Sequence, residues 1–451
     1  MDVGAGTTAL RMRPKPWLNV ESAKANRWRL LLRALEARNY RLFFEGQSVS
    51  LIGTWMTRVA TSWLVYRLTD SAFLLGLSSF ASQIPILFLA PVAGVWVDRW
   101  NRHRTLVVTQ ALSMLQSFAL AALALSHTIT VWEIIALNLF QGAINSFDMP
   151  ARQSFVVQMI ERREDLGNAI ALNSSMVNGA RLIGPAVAGI LIAAVGEGYC
   201  FLIDGISYMA VIASLLAMRL APQVERQRSA LVMAELREGW RYVKESDPIR
   251  TVLLFLVLIS LVGMPYSVLM PMFARAVLHG GASTLGFLMA SVGVGALTGA
   301  VTLAMRPSVL GLGRVIAWSA ALFGAGLIGL GVSRMLWLSL VSVSVAGFGM
   351  MRHMASTNTI LQTIVEEDKR GRVMAYYSMA FQGIAPFGSL AAGALAARIG
   401  APWTIISGGA LVLAGAGGFA ARLPRLRRVM RPIYRELGIL PPLPVSPEPQ
   451  N

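Results

Sequence analysis

The chain has 451 residues, 55% hydrophobic and 14% charged, with mean hydropathy +0.58 and a formal net charge of +17. That balance leaves too little polar surface to cover a soluble core of this length, which points to an integral membrane protein. The Lys and Arg residues fall between apolar runs rather than on one soluble face, against nucleic-acid binding; the single Cys200 excludes a disulfide framework, and four scattered histidines (His103, His127, His279, His353) disfavour a metal site.

Residues 1–41 form a basic arm. From Arg27 to Leu35 apolar and cationic residues alternate at helical spacing, as in a segment lying on an anionic membrane surface. A disordered basic arm is an equal reading for residues 1–25. No apolar run followed by a small-residue cleavage site occurs in the first 40 residues, so targeting is expected to depend on the first membrane helix.

A bilayer core of about 30 Å needs roughly 20 apolar residues per helix. That window gives an all-α membrane protein with twelve expected spans: 42–66, 72–97, 105–125, 131–151, 168–192, 199–219, 251–274, 284–304, 314–332, 335–358, 372–396 and 402–421. The longest interruption, 220–250, separates six from six. The expected domains are therefore the arm (1–41), an N-terminal six-helix bundle (42–219), a linker (220–250), a C-terminal six-helix bundle (251–421) and a tail (422–451).

Orientation follows from the loop charges. Of the 40 Lys and Arg residues, 33 fall in alternate segments that share a side with the N-terminus, and only Arg67, Arg275, Arg334 and Arg398 fall opposite. Both termini are expected in the cytoplasm. Arg58, Arg181 and Arg352 lie inside spans.

The two halves repeat. Ser71 to Gly76 opens span two and Ala282 to Gly286 opens span eight, about 210 residues later. Val131-Trp132 through Gln141-Gly142 matches Leu336-Trp337 through Ala346-Gly347 at an offset of 205, and Ala188-Gly189 matches Ala392-Gly393 at 204. The matches keep their order, as a duplicated six-helix unit requires. Parallel repeats of this kind build two bundles that rock about a site near the bilayer midplane. Within the linker, Leu231, Ala234, Leu236, Trp240 and Val243 are spaced as in an amphipathic helix tethering the halves. The tail is basic to Arg435, then Pro-rich, and is expected to be disordered.

One charged turn, from Gly94 to Arg104, sits between spans two and three. Gly94, Asp98, Arg99, Arg102 and Arg104 resemble the loop motif of the major facilitator superfamily, G-x-x-x-D-R-x-G-R-R, with departures at Asn101 and His103. Asparagine tolerates a left-handed turn, which makes the first departure mild. The equivalent turn in the second half, Met305 to Ser308, lacks the acid. In span five, Ala180 to Gly189, with Arg181, Gly184, Pro185 and Gly189, resembles the superfamily antiporter motif G-x-x-x-G-P-x-x-G-G, with alanine at two glycine positions. Small residues there allow close helix approach and proline permits a bend; plain packing is the alternative reading. Asp148 to Gln153 and Glu366 to Met374 resemble the exporter branch that includes enterobactin exporters and macrolide efflux proteins. The resemblance covers roughly 38–422 and implies the major facilitator fold.

The same resemblance implies that helices 1, 4, 7 and 10 line a central path, which favours Arg58, Asp148, Arg352 and His353 as cavity or gate residues. Arg181 reads as structural. Charges inside spans are expensive and need a partner or an aqueous cavity. The 205 offset pairs Asp148 with His353, so one expectation is an inner gate in which Asp148 meets Arg352 or His353; the alternative is a local pair with Arg152. Asp98 is expected to cap helix eleven near Arg370 to Arg372, as a conformational latch. No phosphate-binding loop is present, which leaves an ion gradient as the energy source, with Glu45 and Asp148 as candidate proton carriers. The expected function is export of small amphipathic molecules, drug-like or siderophore-like, in exchange for protons, by a monomer in the bacterial inner membrane without a cofactor. Span arginines suggest tolerance of anionic or catecholate-like groups. An importer, a lysophospholipid or metabolite transporter, a sensor and a membrane-embedded enzyme are the alternatives, the last lacking a convergent acid, base or metal set.

Overall fold

The computed structural model describes residues 32–160, 162–219, 232–306, 308–437 and 439, and no strand occurs among them. Twelve helical crossings follow in order. The first six are α1 (Arg38–Thr69), α2 (Ala72–Arg99), α3 (Arg102–Leu125), α4 (Val131–Met159), α5 (Leu166–Val195) and α6 (Glu197–Leu216). A linker helix, Val232–Glu245, precedes α7 (Asp247–Val277), α8 (Ala282–Ala304), α9 (Leu312–Val332) and α10 (Leu336–Ile364). The last helical run divides at Gly400, whose φ of 81° breaks the helical geometry, into α11 (370–399) and α12 (401–436).

Among the described residues, eight stretches are long and apolar enough to cross a membrane, the last of them containing both α11 and α12. The remaining three crossings, α1, α4 and α10, carry Arg58, Gln141, Asp148, Arg352 and His353 within their length. Twelve crossings return the chain to the side on which it began. We call that the terminal side and its opposite the far side.

Within the first bundle α1 packs on α5 and α6, α2 on α4, and α3 on α4 and α6. The second repeats this with α8 and α9 on α10 and α9 on α12. The bundles meet along two crossings, α2 on α11 and α5 on α8. Each is seated on a pair of glycines near the far side. A Cβ on Gly76 would stand 3.1 Å from the Gly393 Cα, and one on Gly189 would stand 2.8 Å from the Gly286 Cα. Backbone contact this close needs glycine on both helices. These four residues are the ones whose spacing revealed the repeat. An ion pair between Asp70, at the end of α1, and Arg275, at the end of α7, joins the bundles on the same side at 3.5 Å. The far side is closed.

The expected spans coincide with the crossings, and the ends differ in a patterned way. α4 runs to Met159 and α10 to Ile364, past the expected ends at 151 and 358. Hydropathy measures the lipid-crossing part, whereas the helix continues through Arg152, Gln153, Asn358 and Gln362 on its own backbone hydrogen bonds. The tail needs a larger correction: 422–436 is helical. Leu423, Leu426, Met430 and Tyr434 are buried at helical spacing, and Arg425 pairs with Asp247 at 3.2 Å. The Pro-rich segment 441–449 lies outside the described residues, as do Arg27 to Leu31 of the arm and the side chains of Leu231, Ala234 and Leu236. Of the linker, Val243 is buried, Trp240 tilts onto Tyr376 of α11, and Glu238 pairs with Arg372 at 2.7 Å.

Candidate functional site

The span-five motif positions the site. Gly184 has Ile52 O and the Trp55 Cβ where a side chain would stand, at 2.9 and 2.5 Å, so α5 lies directly against α1. One turn before Gly184, Arg181 then reaches the Trp55 indole. Its guanidinium carbon sits 5.6 Å from the ring centroid, and that of Arg58, three residues along α1 from Trp55, sits 4.8 Å from the same ring. Two cations thus share one indole ring, and Arg181 repels the charge on Arg58. Neither has an ion-pair or hydrogen-bond partner among the described residues, although Arg58 is solvent-accessible midway along its crossing. The motif therefore both packs α5 and aims Arg181. The missed partner, Trp55, was readable as an aromatic one turn from Arg58 on the same helix face.

Asp204 of α6 lies beside this cluster. It is buried, and its Oδ2 accepts hydrogen bonds from Thr57 at 2.8 Å and Ser117 at 2.9 Å, while Oδ1 has no partner. Asp148 is placed differently. Its Oδ1 accepts from Thr109 at 2.8 Å and Gln110 at 2.7 Å, and Arg152 donates to its Oδ2. His353 is buried in the second bundle, 5.1 Å edge-on from the Phe255 ring and facing Ile316 O of α9 at 3.4 Å. Asp148 and His353 thus occupy equivalent stations in their own bundles, turned to the third helix and its repeat counterpart. In this conformation no ion pair joins Asp148 to Arg352 or His353 among the described residues. Arg352 lies over the Phe348 ring at 5.3 Å with its Nε buried and unpartnered. Glu45 is exposed near the start of α1.

The charged turn between α2 and α3 is shorter than its sequence suggests. Helix α2 continues through Arg99 and α3 begins at Arg102. Asn101 has φ −66°, not a left-handed turn, and its side chain accepts from Arg104 N at 3.0 Å. Asparagine is here the N-cap of α3, which explains its tolerance better than the expected turn geometry. His103 contacts Leu215 O of α6 at 2.8 Å. Arg102 is half-buried and Arg104 exposed, while the side chains of Asp98 and Arg99, and Gly94, lie outside the described residues. The proposed target of Asp98, the start of α11, has no side-chain cap of its own. Beside it, Lys369 donates to Glu366 at 2.7 Å, a hydrogen bond that holds its amine above the ordinary lysine range.

Two parallel six-helix bundles seated on repeat-related crossings are the architecture of a major facilitator superfamily transporter. Over residues 32–433 the chain matches the family described as transmembrane secretion effectors, and it belongs to that family. It is 26% identical to the staphyloferrin A transporter of Staphylococcus aureus over 78% of this chain and 87% of that protein. It is 26% identical to the multidrug efflux pump Tap of Mycolicibacterium fortuitum (84% and 93% covered) and 23% to macrolide efflux protein A of Streptococcus pyogenes (85% and 94%). Among solved structures, a variant of the nucleoside transporter NupG superposes with TM-score 0.69 at 12% identity, covering 86% and 99%. A bacterial homologue of the iron transporter ferroportin superposes with 0.65 at 16%, covering 85% and 98%. These share the fold. The relatives named here are transporters, in keeping with a chain that moves molecules rather than transforms them.

Proposed function

We propose that the protein is a secondary active exporter of small amphipathic molecules bearing an acidic or catecholate-like group, working by alternating access in exchange for protons. The observation that carries this reading is the Arg58–Trp55–Arg181 cluster. Two like charges deep in a membrane protein with no ion-pair partner among the described residues are costly, and an anionic substrate stacked near the indole relieves both. The named relatives, two of them efflux proteins and one a staphyloferrin A transporter by name, support the cargo class. The excess of Lys and Arg in the loops of the terminal side supports a cytoplasmic terminal side in a bacterial inner membrane, and the protein acts as a monomer.

For coupling, Asp204 joins Glu45 and Asp148 as a candidate carboxyl, since it shares Thr57 with the segment of α1 that carries Arg58. Asp98 latches onto the start of α11 when the terminal side closes, because negative charge is favourable at an uncapped helix N-terminus. The test is accumulation of a chemically diverse panel in cells with and without the chain, each with and without a proton uncoupler. Uncoupler-sensitive exclusion of acidic amphiphiles, lost in Arg58→Gln, is the expected result. Export of cationic dyes alone, or export indifferent to the uncoupler, would overturn it.

A further inference from the structure

Arg352 was expected in the central path, yet it borders a separate cleft between α9 and α10. That cleft, about 220 Å³, is lined by Arg314, Val315, Trp318, Leu322, Phe348 and Arg352. Its apolar wall opens outward: Trp318 is 72% exposed and Leu322 38%, far above what a helix face turned into a bundle shows. Arg314 stands at the first turn of α9, at the terminal side, and Arg352 lies over Phe348 with a buried Nε lacking any hydrogen-bond partner. Arg314 also lines a larger cavity of about 630 Å³ together with Arg306, Arg427 and Arg431. No carboxylate lines either space among the described residues. Arg306 is committed to Ser308 O and Leu310 O, at 3.1 and 2.6 Å, and the other arginines have no ion-pair partner among the described residues.

We infer that this cleft is a binding site for an anionic phospholipid of the cytoplasmic leaflet. The inference rests on the terminal side being cytoplasmic, and on nothing in the transport reading. The phosphodiester lies between the guanidiniums of Arg314 and Arg352, and one acyl chain runs along Leu322 and the Phe348 edge towards the bilayer centre. The chemistry fits at three levels. A guanidinium presents a planar fork that matches phosphate oxygens. An arginine placed one or two turns inside a membrane helix reaches the headgroup layer by extending its stem along apolar surface. A tryptophan on the lipid face marks that same layer. Basic pockets between membrane helices on the cytoplasmic side are the setting in which anionic headgroups bind. The free alternative, an inorganic or glycerol phosphate, would leave the exposed Trp318 and Leu322 without a purpose.

The purified full chain in detergent, titrated with phosphatidylglycerol or phosphatidylcholine and read by native mass spectrometry, tests this. The expected result is a preference for phosphatidylglycerol of about tenfold or more, as two arginines at a membrane surface supply. Arg314→Gln with Arg352→Gln is expected to erase it, and Arg314→Gln alone, at an exposed helix start and safe for folding, to reduce it several-fold. Arg422→Gln with Arg428→Gln removes the same charge from the exposed tail and is expected to leave it intact. Phosphatidylglycerol with brominated chains is expected to quench a share of the tryptophan fluorescence that disappears in Trp318→Phe. Equal binding of the two lipids, equal loss in the tail variant, or displacement of the lipid by glycerol phosphate would each overturn the assignment. Failure of the transport assay would not touch it.

Discussion

Replacing Gly286 with alanine places a methyl group 2.7 Å from Pro185 O and 2.8 Å from the Gly189 Cα, both backbone atoms of α5 that cannot swing away. Ordinary contact is about 3.5 to 4.0 Å, so α5 and α8 must separate by roughly 1 Å at the crossing. Overpacking of this kind costs about 1 to 3 kcal/mol. The strain exists only while the far side is closed. The gain in helix propensity from glycine to alanine, about 1 kcal/mol, is the same in both states and supports folding. The conformational ratio should therefore shift towards a far-open state by roughly 5- to 150-fold. Spin labels at Ser126→Cys and Arg334→Cys, on far-side loops of the two bundles in a Cys200→Ala background, would report it as a longer distance population. Gly76→Ala, its repeat counterpart, faces Ser389 O at 2.6 Å and should do the same, whereas Gly179→Ala on α5 has no atom within 4 Å and should not. An unchanged distance distribution in Gly286→Ala would refute the idea that these glycines hold the far side shut.

Asp98→Asn should insert and fold normally yet lose most export, and normal export in washed cells would remove the latch. Arg181→Gln and Arg58→Gln should each reduce export of acidic substrates at least tenfold while leaving the melting temperature within a few degrees, since neither side chain has an ion-pair or hydrogen-bond partner among the described residues to orphan. Asp148→Ala should lower stability by about 1 to 3 kcal/mol in thermal unfolding, because it takes an acceptor from buried Thr109 and Gln110 and from half-buried Arg152. Gly196→Ala and Gly400→Ala, at φ of 91° and 81°, should each cost about 1 kcal/mol in the same measurement, against no loss for Gly167→Ala, which has open space around it.

The crossings were legible because lipid imposes a length and an apolarity on each, and that constraint acts locally along the chain. The repeat was legible for the same reason: Gly76, Gly189, Gly286 and Gly393 are fixed by close approach, so their spacing survives where side chains drift. Gly196 and Gly400 follow the same rule, each seven residues after a crossing glycine, and could have been read as the turns that end α5 and α11. What the sequence could not disclose is which way a residue faces. Arg352 and His353 are neighbours on α10, yet one borders an outward cleft and the other is enclosed in the bundle core. Likewise the 205 offset aligns Asp148 with His353, but equivalence in a repeat places two residues at matching positions of separate bundles and does not set them face to face. The roles of Asn101 and of residues 422–436 depended on hydrogen bonding and amphipathic docking, which composition alone does not encode.

The two crossings between the bundles have a further meaning once the halves are treated as copies. In repeat terms α11 is a second α5 and α8 a second α2, so α2 on α11 and α5 on α8 are one contact made twice, related by a two-fold axis. That is the signature of an isologous dimer interface, in which a surface is complementary to itself. A free six-helix unit carrying glycine at the head of its second helix and the tail of its fifth would already have possessed everything needed to pair. Joined by the linker helix, the two copies meet at an effective concentration fixed by the tether, so the contact holds although only one half carries the acid of its charged turn and the two arginines on Trp55.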